Sequence, residues 1–400
     1  MRKIDLILKQ VQIFALYLFL FSINFEVWDP LSTDGNFSVS KLTGLVYLAT
    51  ITPHLKKFIR TDIVDYIMWP IWLFFSILTL VSLININSMS YYFFDFSIFQ
   101  NMFLLLFMLN HARKEPLVLE KGMLSFAFGS ISLALLFYVG IGIEYEAGRV
   151  TLFGDNANII GIRMCIAMTV LILAIVQNRL KLRKLRYLFF LPMPLMLQFM
   201  FQTGSRVATI AFGLMFMVGL VLFKTKNIWR KIALFAVGSM VFVYGLNVMM
   251  QSETLVHRFL KTSGEGDLAG REVIWQKLFT IIQENPIFGV GKTGYDYYSQ
   301  TNFGQFTSPH NVFLEVLCYT GIVGLGIYLF FLYRIFNCGY QSFKTERLLL
   351  PLLLIVVVLG LLVSGQILNV KIGWIIFAYI SGTSIFKFNP ETSMYRSCHI

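Results

Sequence analysis

Residues 348–364 read LLLPLLLIVVVLGLLVS and contain no charged side chain. A helix of this length crosses most of a hydrocarbon core about 30 Å thick, because each residue adds about 1.5 Å. Similar apolar windows recur along the 400-residue chain, which is 57% hydrophobic and 14% charged with a mean hydropathy of +0.70. Globular domains average about 25% charged residues. The sequence therefore predicts an integral membrane protein.

The fold predicted from these windows is all-α and polytopic, with about twelve transmembrane helices. The whole chain, residues 1–400, is expected to form a single integral membrane domain. The windows centre near residues 7–23, 39–53, 63–84, 96–110, 121–141, 157–177, 187–201, 207–223, 231–250, 311–333, 348–364 and 367–386.

Basic residues fall in alternate connections between these windows, and the positive-inside rule places such connections in the cytoplasm. Both termini are then predicted to be cytoplasmic. The net charge of +12 reflects these topology signals, so we do not expect nucleic-acid binding. The clusters are His54–Arg60, Arg113–Lys114, Arg179–Arg186, Lys224–Lys231 and Arg334–Arg347.

The longest connection on the opposite side, residues 251–310, is predicted to be an extracytoplasmic loop that carries part of the active site. Apolar residues at 274, 278, 281 and 282 predict a short helix over residues 271–283. The following Pro-Ile-Phe-Gly-Val-Gly-Lys-Thr resembles a nucleotide-binding loop, but it begins with proline and follows no strand, so we interpret it as a tight turn. Tyr295 and Tyr298 then suit either stacking on sugars or an interfacial aromatic belt.

His310 follows Ser308 and Pro309 at the end of this loop. Pro309 ends the loop, and Ser308 or Asn311 is expected to cap the next helix. Amides at a helix start favour a neutral imidazole, which can act as a base. The alternative is a capped or packed histidine without catalytic function. No zinc site is expected, since the other outward histidine, His257, is distant in sequence.

Three arginines lie on the same predicted side. Arg206 sits where two apolar spans meet, so it is either a snorkelling anchor or a cation that faces a ligand. Arg271 opens the loop helix, where a cation opposes the helix dipole, and this favours an anionic partner; Glu272 or lipid phosphate is the alternative. Arg149 precedes Asp155-Asn156-Ala157-Asn158, a run that either contacts substrate or caps a helix.

These pieces together resemble the O-antigen ligase and polymerase family of bacterial surface-polysaccharide assembly. The most specific piece is His310, then ten residues, then Gly321. In the external arginine motif this chain has Trp275 where the family expects leucine. The pieces are Arg149 to Asn158, Thr203 to Arg206, Arg271 leading to residues 285–291, and His310-Asn311 with Glu315 and Gly321.

The resemblance implies transfer of a glycan from an undecaprenyl pyrophosphate carrier to an acceptor hydroxyl, without cofactor or obligatory metal. It assigns His310 as general base, with Arg206 and Arg271 binding the pyrophosphate. Glycines at 321, 324 and 326 are expected to let a neighbouring helix pack closely. The residues that remain as candidates for further substrate contacts are Arg149, Asn158, Tyr295 and Tyr298.

The function predicted from the sequence is polymerisation of lipid-linked repeat units of O-antigen or capsular polysaccharide at the bacterial cytoplasmic membrane. One alternative is an O-antigen ligase that transfers the glycan to lipid A-core or another acceptor. Another is a transporter of the lipid-linked glycan, although few polar residues lie at mid-membrane positions. The expected partners are the donor, the acceptor and membrane lipid, and a chain-length regulator is a further candidate.

Overall fold

The computed structural model is mostly helical, with 77% of the residues in helices. It describes residues 2–33, 37–62, 64–115, 117–146, 148–223, 271–364, 367–388 and 395–397, with short pieces at 232, 243–245, 247–252, 255–258 and 260. The predicted span at 231–250, the basic cluster Lys224–Lys231 and loop residues 261–270 lie wholly or largely outside these described residues.

The helices are α1 (Arg2–Ser22), α2 (Val39–Ile51), α3 (Leu55–Phe58), α4 (Asp65–Ile84), α5 (Phe96–Lys114), α6 (Val118–Val139), α7 (Ala157–Gln177), α8 (Met193–Gln202), α9 (Arg206–Leu222), α10 (Arg271–Glu284), α11 (Gly291–Phe303), α12 (Val312–Glu346), α13 (Leu349–Ser364) and α14 (Lys371–Ile385). Short 3₁₀ helices cover Ile23–Phe25, Thr52–His54 and Arg183–Phe190. Two antiparallel hairpins, absent from the all-α prediction, pair β1 (Ile143–Glu146) with β2 (Arg149–Leu152) and β3 (Phe386–Phe388) with β4 (Tyr395–Ser397).

Five of the described helices are long and apolar enough to cross a membrane. Two shorter apolar helices, Arg206–Leu222 and Leu349–Val363, accompany them. The prediction of a largely helical membrane protein is therefore confirmed, whereas the number of about twelve spans is not. The five helices are Asp5–Phe25, Asp65–Ile84, Val118–Val139, Ala157–Gln177 and Val312–Glu346.

The chain divides into two compact units. The first comprises Met1–Phe58, Glu115–Glu265 and Glu346–Val357, and the second comprises Ile59–Lys114, Gly266–Thr345 and Val358–Ile400. In the first unit α7 is buried on nearly all sides, which fits a helix that is apolar around its whole circumference.

A buried ion cluster anchors the start of α7. Arg163 is 1% exposed, and its guanidinium pairs with the carboxylates of Asp155 and Glu26. A buried charge is strongly unfavourable unless it is paired, so Asp155 has a structural role here. Asn156 caps α7 by accepting a hydrogen bond from the Asn158 amide at 2.8 Å. The helix-cap interpretation of this run is therefore confirmed for Asn156.

In the second unit, α11 packs on the end of α4 through the Gly-Lys-Thr segment. The Lys292 amide donates to the Ser82 hydroxyl at 2.8 Å, and the Thr293 hydroxyl donates to the Ser82 carbonyl at 2.6 Å. Gly291 has φ 69°, and a Cβ there would overlap the backbone of Ser82. The glycine thus permits close contact between two helices, in accord with the tight-turn interpretation of this segment.

The helix predicted over residues 271–283 is present as α10, with Leu278 and Ile281 buried. Its apolar positions follow the helical period, and this local pattern is what made the helix recognisable. The loop predicted over residues 251–310 thus contains two described helices, α10 and α11, which lead to the turn at His310.

Candidate functional site

The turn at His310 ends in a capped helix. The Asn311 side chain accepts hydrogen bonds from the amides of Phe313 and Leu314, at 3.0 and 3.2 Å. Of the two caps offered by the sequence, the structure therefore selects Asn311. The Ser308 hydroxyl instead accepts the His310 amide at 3.2 Å. His310 itself has φ 51°, in the left-handed region that costs energy for a non-glycine residue.

The imidazole of His310 is half-buried. Burial lowers its pKa below the ordinary value of histidine, and the nearby positive charge of Arg271 lowers the pKa further. The neutral form therefore predominates at pH 7, and a neutral imidazole can accept a proton. The sequence predicted the same protonation state from helix-start amides, but burial and Arg271 are the causes that the structure identifies.

A tryptophan fastens this turn to α10. The Trp275 indole Nε1 donates a hydrogen bond to the Pro309 carbonyl at 2.9 Å. Arg271 and Trp275 are four residues apart, so they lie on one face of the helix. The same helix face therefore supplies both the hydrogen bond to the turn and the cation that acts on His310. The sequence showed Trp275 only as a departure from the leucine that the family expects, and this contact was missed.

The turn at residues 286–290 pairs with the backbone of α12 near a break in that helix. The Val290 amide donates to the Cys318 carbonyl at 2.9 Å. In return, the Ile322 amide donates to the Pro286 carbonyl at 2.9 Å. These bonds satisfy polar groups that the helix break exposes, so the loop replaces part of the helix's own hydrogen bonding.

Gly321 makes this pairing sterically feasible. Its backbone angles are φ 61° and ψ −163°, and a Cβ there would overlap the Ile287 carbonyl. A Cβ at Gly289 would likewise meet the Cys318 carbonyl. At Gly326 a Cβ would have no described heavy atom within 4 Å apart from its chain neighbours and the backbone of its own helix. Of the glycines predicted to allow close packing, Gly321 lies against the backbone of a loop, whereas Gly326 has no close neighbour of this kind.

The two candidate tyrosines make contacts within the protein. Tyr295 is fully buried, and its hydroxyl donates to the Thr307 carbonyl at 2.5 Å. The Tyr298 hydroxyl donates to the Lys277 carbonyl at 2.7 Å and joins α11 to α10. Burial favours a packing role for Tyr295 over stacking on a sugar.

In the first unit, Arg149 is tied to the turn that precedes α9. Its Nε donates to the Thr203 carbonyl at 2.9 Å, and its Nη2 donates to the Asn158 side-chain oxygen at 2.8 Å. Two of the candidate residues, Arg149 and Asn158, are thus brought together against the Thr203–Arg206 turn. The first hydrogen bond holds the turn, and the second holds the Arg149 side chain against Asn158.

Arg206 opens α9, and the Ser205 hydroxyl caps this helix by accepting the Ala208 amide at 3.3 Å. Arg258 donates from Nη1 to the Gly204 carbonyl at 2.6 Å, and Arg206 donates to the Arg258 carbonyl at 3.3 Å. Sequence reasoning missed Arg258. The only available signal was a second basic residue beside His257 in the predicted outer loop.

A match to a family model includes both turns, residues 203–206 and residues 308–311. Residues 191–329 match the O-antigen ligase family. The resemblance predicted from the sequence is thereby confirmed over this region. The match supports a membrane function of the ligase or polymerase type without distinguishing the two. No curated protein matches the chain.

The O-antigen ligase match covers Arg206, Arg271 and His310, whereas Arg149 and Asn158 lie before it. Trp275 and Arg258 also fall within the matched residues. The matched residues therefore include the two turns whose hydrogen bonds are described above, one in each unit.

Proposed function

We propose that this protein is a glycosyltransferase that polymerises undecaprenyl-pyrophosphate-linked repeat units on the outer face of the bacterial cytoplasmic membrane. The observation that carries the proposal is the state of His310. Its imidazole is half-buried with a lowered pKa, on a turn fixed by the Asn311 cap and the Trp275 hydrogen bond. A general base that removes the proton of an acceptor hydroxyl needs a neutral imidazole ring and a fixed position.

In the proposed reaction His310 removes the proton of an acceptor hydroxyl. The acceptor oxygen then forms a bond to the anomeric carbon of the donor glycan. The bond between that carbon and the pyrophosphate oxygen breaks, and undecaprenyl pyrophosphate leaves with the bonding electrons. The proton remains on the imidazole until water removes it. General-base catalysis of this kind contributes about 10²–10⁴ in rate.

Arg271 links the base to the leaving group. Its positive charge lowers the pKa of His310, so the two groups interact electrostatically. A pyrophosphate bound to Arg271 would offset that charge and raise the pKa of the base. The proton affinity of His310 would therefore increase when the donor is in place. A planar guanidinium also matches the two oxygens of a phosphate group.

Arg206 is proposed as a second pyrophosphate contact, which the family match supports because it covers this residue. Arg149 and Asn158 are proposed to hold the turn at Thr203, and their hydrogen bonds support this positioning role. The charge of the departing pyrophosphate would then be balanced by guanidinium groups.

Ligation is the second candidate, because the matching family model is described as O-antigen ligase. A ligase would use the same base and the same anion contacts, and only the acceptor would differ. The two functions leave different products in cells, so one strain can separate them.

The test is a deletion strain complemented with His310→Ala, analysed by glycan gels at matched membrane abundance. We expect normal insertion and no polymer, with single repeat units on the surface. His257→Ala is the matched control, since His257 is exposed on the same predicted side. Wild-type ladders from His310→Ala would refute the catalytic role. Bare acceptor with accumulated carrier-linked polymer would instead identify a ligase.

A further inference from the structure

An open cavity of about 300 Å³ lies in the second unit beside the His310 turn. Ser308 and Pro309 form part of its wall, immediately before His310. Small-molecule sites start at about this volume. Trp275 does not line the cavity, and the proposed mechanism assigns the cavity no role.

The floor of the cavity is polar and buried. Asp95 and Glu315 are 8% and 3% exposed, and both line the cavity. Asp95 uses Oδ1 to accept the amides of Ser97 and Ile98, at 3.0 and 3.1 Å. Asn369 also lines the cavity. Its side-chain oxygen is buried, and no described residue donates a hydrogen bond to it.

An unsatisfied buried carbonyl oxygen costs about 1–3 kcal/mol. A ligand that donates hydrogen bonds would remove this cost, and hydroxyl groups are such donors. The carboxylates of the floor accept from hydroxyl groups as well. The floor is therefore suited to a ligand with several hydroxyl groups.

The mouth of the cavity is aromatic. The rings of Phe96 and Phe306 are 66% and 51% exposed. Aromatic rings at a polar site pack on the C–H faces of a sugar, while acceptors beneath them bind its hydroxyl groups. Lys292 also lines the cavity, with its ammonium 5.9 Å from the centre of the Phe306 ring.

The charged and polar groups of the lining do not suit a pyrophosphate or a lipid chain, the other ligands expected for this class of enzyme. The carboxylate of Asp95 lines the cavity, and the one lysine in the lining, Lys292, is already paired with Asp296 at 3.3 Å. A pyrophosphate would therefore meet a surplus of negative charge. An apolar lipid chain would supply no hydrogen-bond donor to the Asn369 oxygen. An uncharged, hydroxyl-rich ligand is the one that satisfies the lining.

We propose that this cavity binds an uncharged sugar ring of the acceptor glycan and directs its hydroxyl groups towards the His310 turn. The assignment to the acceptor rests on the proposed function, whereas sugar binding by the cavity does not. Because Ser308 lines the cavity and accepts the His310 amide, a sugar there contacts the same turn that holds the base.

The test is saturation-transfer NMR on the purified full-length protein in detergent, with methyl glycosides of glucose, galactose and N-acetylglucosamine as probes. Glucuronate serves as the charged probe. We expect a signal from at least one neutral glycoside and a much weaker one from glucuronate. Phe306→Ala should weaken binding about five-fold, as loss of one aromatic contact does. Tyr92→Ala is the control, because Tyr92 is an exposed ring outside the cavity.

Asn369→Leu is a second variant, which removes the acceptor without emptying the floor, and thermal unfolding verifies the fold of each protein. The proposal fails if no neutral glycoside binds, if glucuronate binds equally well, or if Tyr92→Ala weakens binding as much as Phe306→Ala. Binding needs neither donor nor base, so the His310→Ala protein should retain it. A polymer made by His310→Ala would overturn the proposed function and leave the sugar site standing.

Discussion

The turn at residues 203–206 in the first unit and the turn at residues 308–311 in the second share a local design. Each joins a preceding segment to an apolar helix, and each places a polar side chain at the helix start. Ser205 caps α9, and Asn311 caps α12. Capping satisfies amides that have no partner inside the helix, so both turns have a defined backbone.

The two turns differ in what holds their carbonyl groups. Arg149 and Arg258 hold the first turn with charged guanidinium groups. The uncharged indole of Trp275 holds the second at Pro309. A cation beside a base lowers the pKa of that base, so a neutral donor fixes the His310 turn without adding a second positive charge to that of Arg271. The guanidinium groups of Arg149 and Arg258 suit the first turn if this turn binds an anionic ligand.

Replacing Arg271 should have the largest effect, because the positive charge of Arg271 lowers the pKa of His310. Arg271→Lys keeps the charge and loses the bidentate geometry, so polymer formation should fall about 10–100-fold, as for loss of a charge-assisted hydrogen bond. Arg271→Gln should raise the pKa of His310, and the acidic limb of the pH–rate profile should move to higher pH. Both are measured with purified protein.

Lys277→Gln is the control for charge on the same helix, since Lys277 contacts the Asn302 carbonyl instead. It should leave the acidic limb in place. If Arg271→Lys retained near-normal activity, Arg271 would be an anchor at the membrane surface and would not bind the pyrophosphate.

Gly321→Ala tests the support beneath the second turn. A Cβ at this position would overlap the Ile287 carbonyl, and the positive φ is strained for alanine. We expect a loss of about 1–3 kcal/mol in stability, seen as a lower Tm of the purified protein. Gly326→Ala is the matched control, because no described atom beyond its own helix backbone and chain neighbours lies near the added methyl group. Equal melting temperatures for the two variants would contradict the described packing.

Trp275→Phe should produce the smallest effect. It removes the hydrogen bond to Pro309 and keeps an aromatic ring, so kcat should fall about five-fold, the effect of about 1 kcal/mol, with donor KM unchanged. Trp275→Arg sharpens the comparison, because a cation near the turn should lower the pKa of His310 and move the acidic limb to lower pH. Trp72→Phe, in the aromatic cluster of α4, serves as control. An unaltered kcat for Trp275→Phe would exclude a positioning role.

Local patterns predicted the helices well, because length and apolar periodicity determine them directly. The window at 157–177 matches α7, and the helix expected at 271–283 matches α10. Asn311 was one of two caps that the sequence allowed. These features depend on neighbours within one or two helical turns, and such neighbours are visible in sequence.

Contacts between distant residues were not predictable in this way. Trp275 and Pro309 are separated by 34 residues, and no motif connects them. Arg163 did carry a signal, since an arginine inside an apolar span requires a buried partner, and Asp155 supplies it. The spacing from His310 singled out Gly321, but the reason for a glycine there is the loop backbone that lies against it.

The pairing of residues 286–290 with α12 constrains the order in which the chain is assembled. Residues 286–290 are synthesised before Cys318 and Ile322, so the Val290 amide and the Pro286 carbonyl have no partner until α12 follows. The loop therefore gains these two hydrogen bonds only after α12 has been synthesised, and the pairing then encloses the His310 turn, which lies between the two segments in sequence.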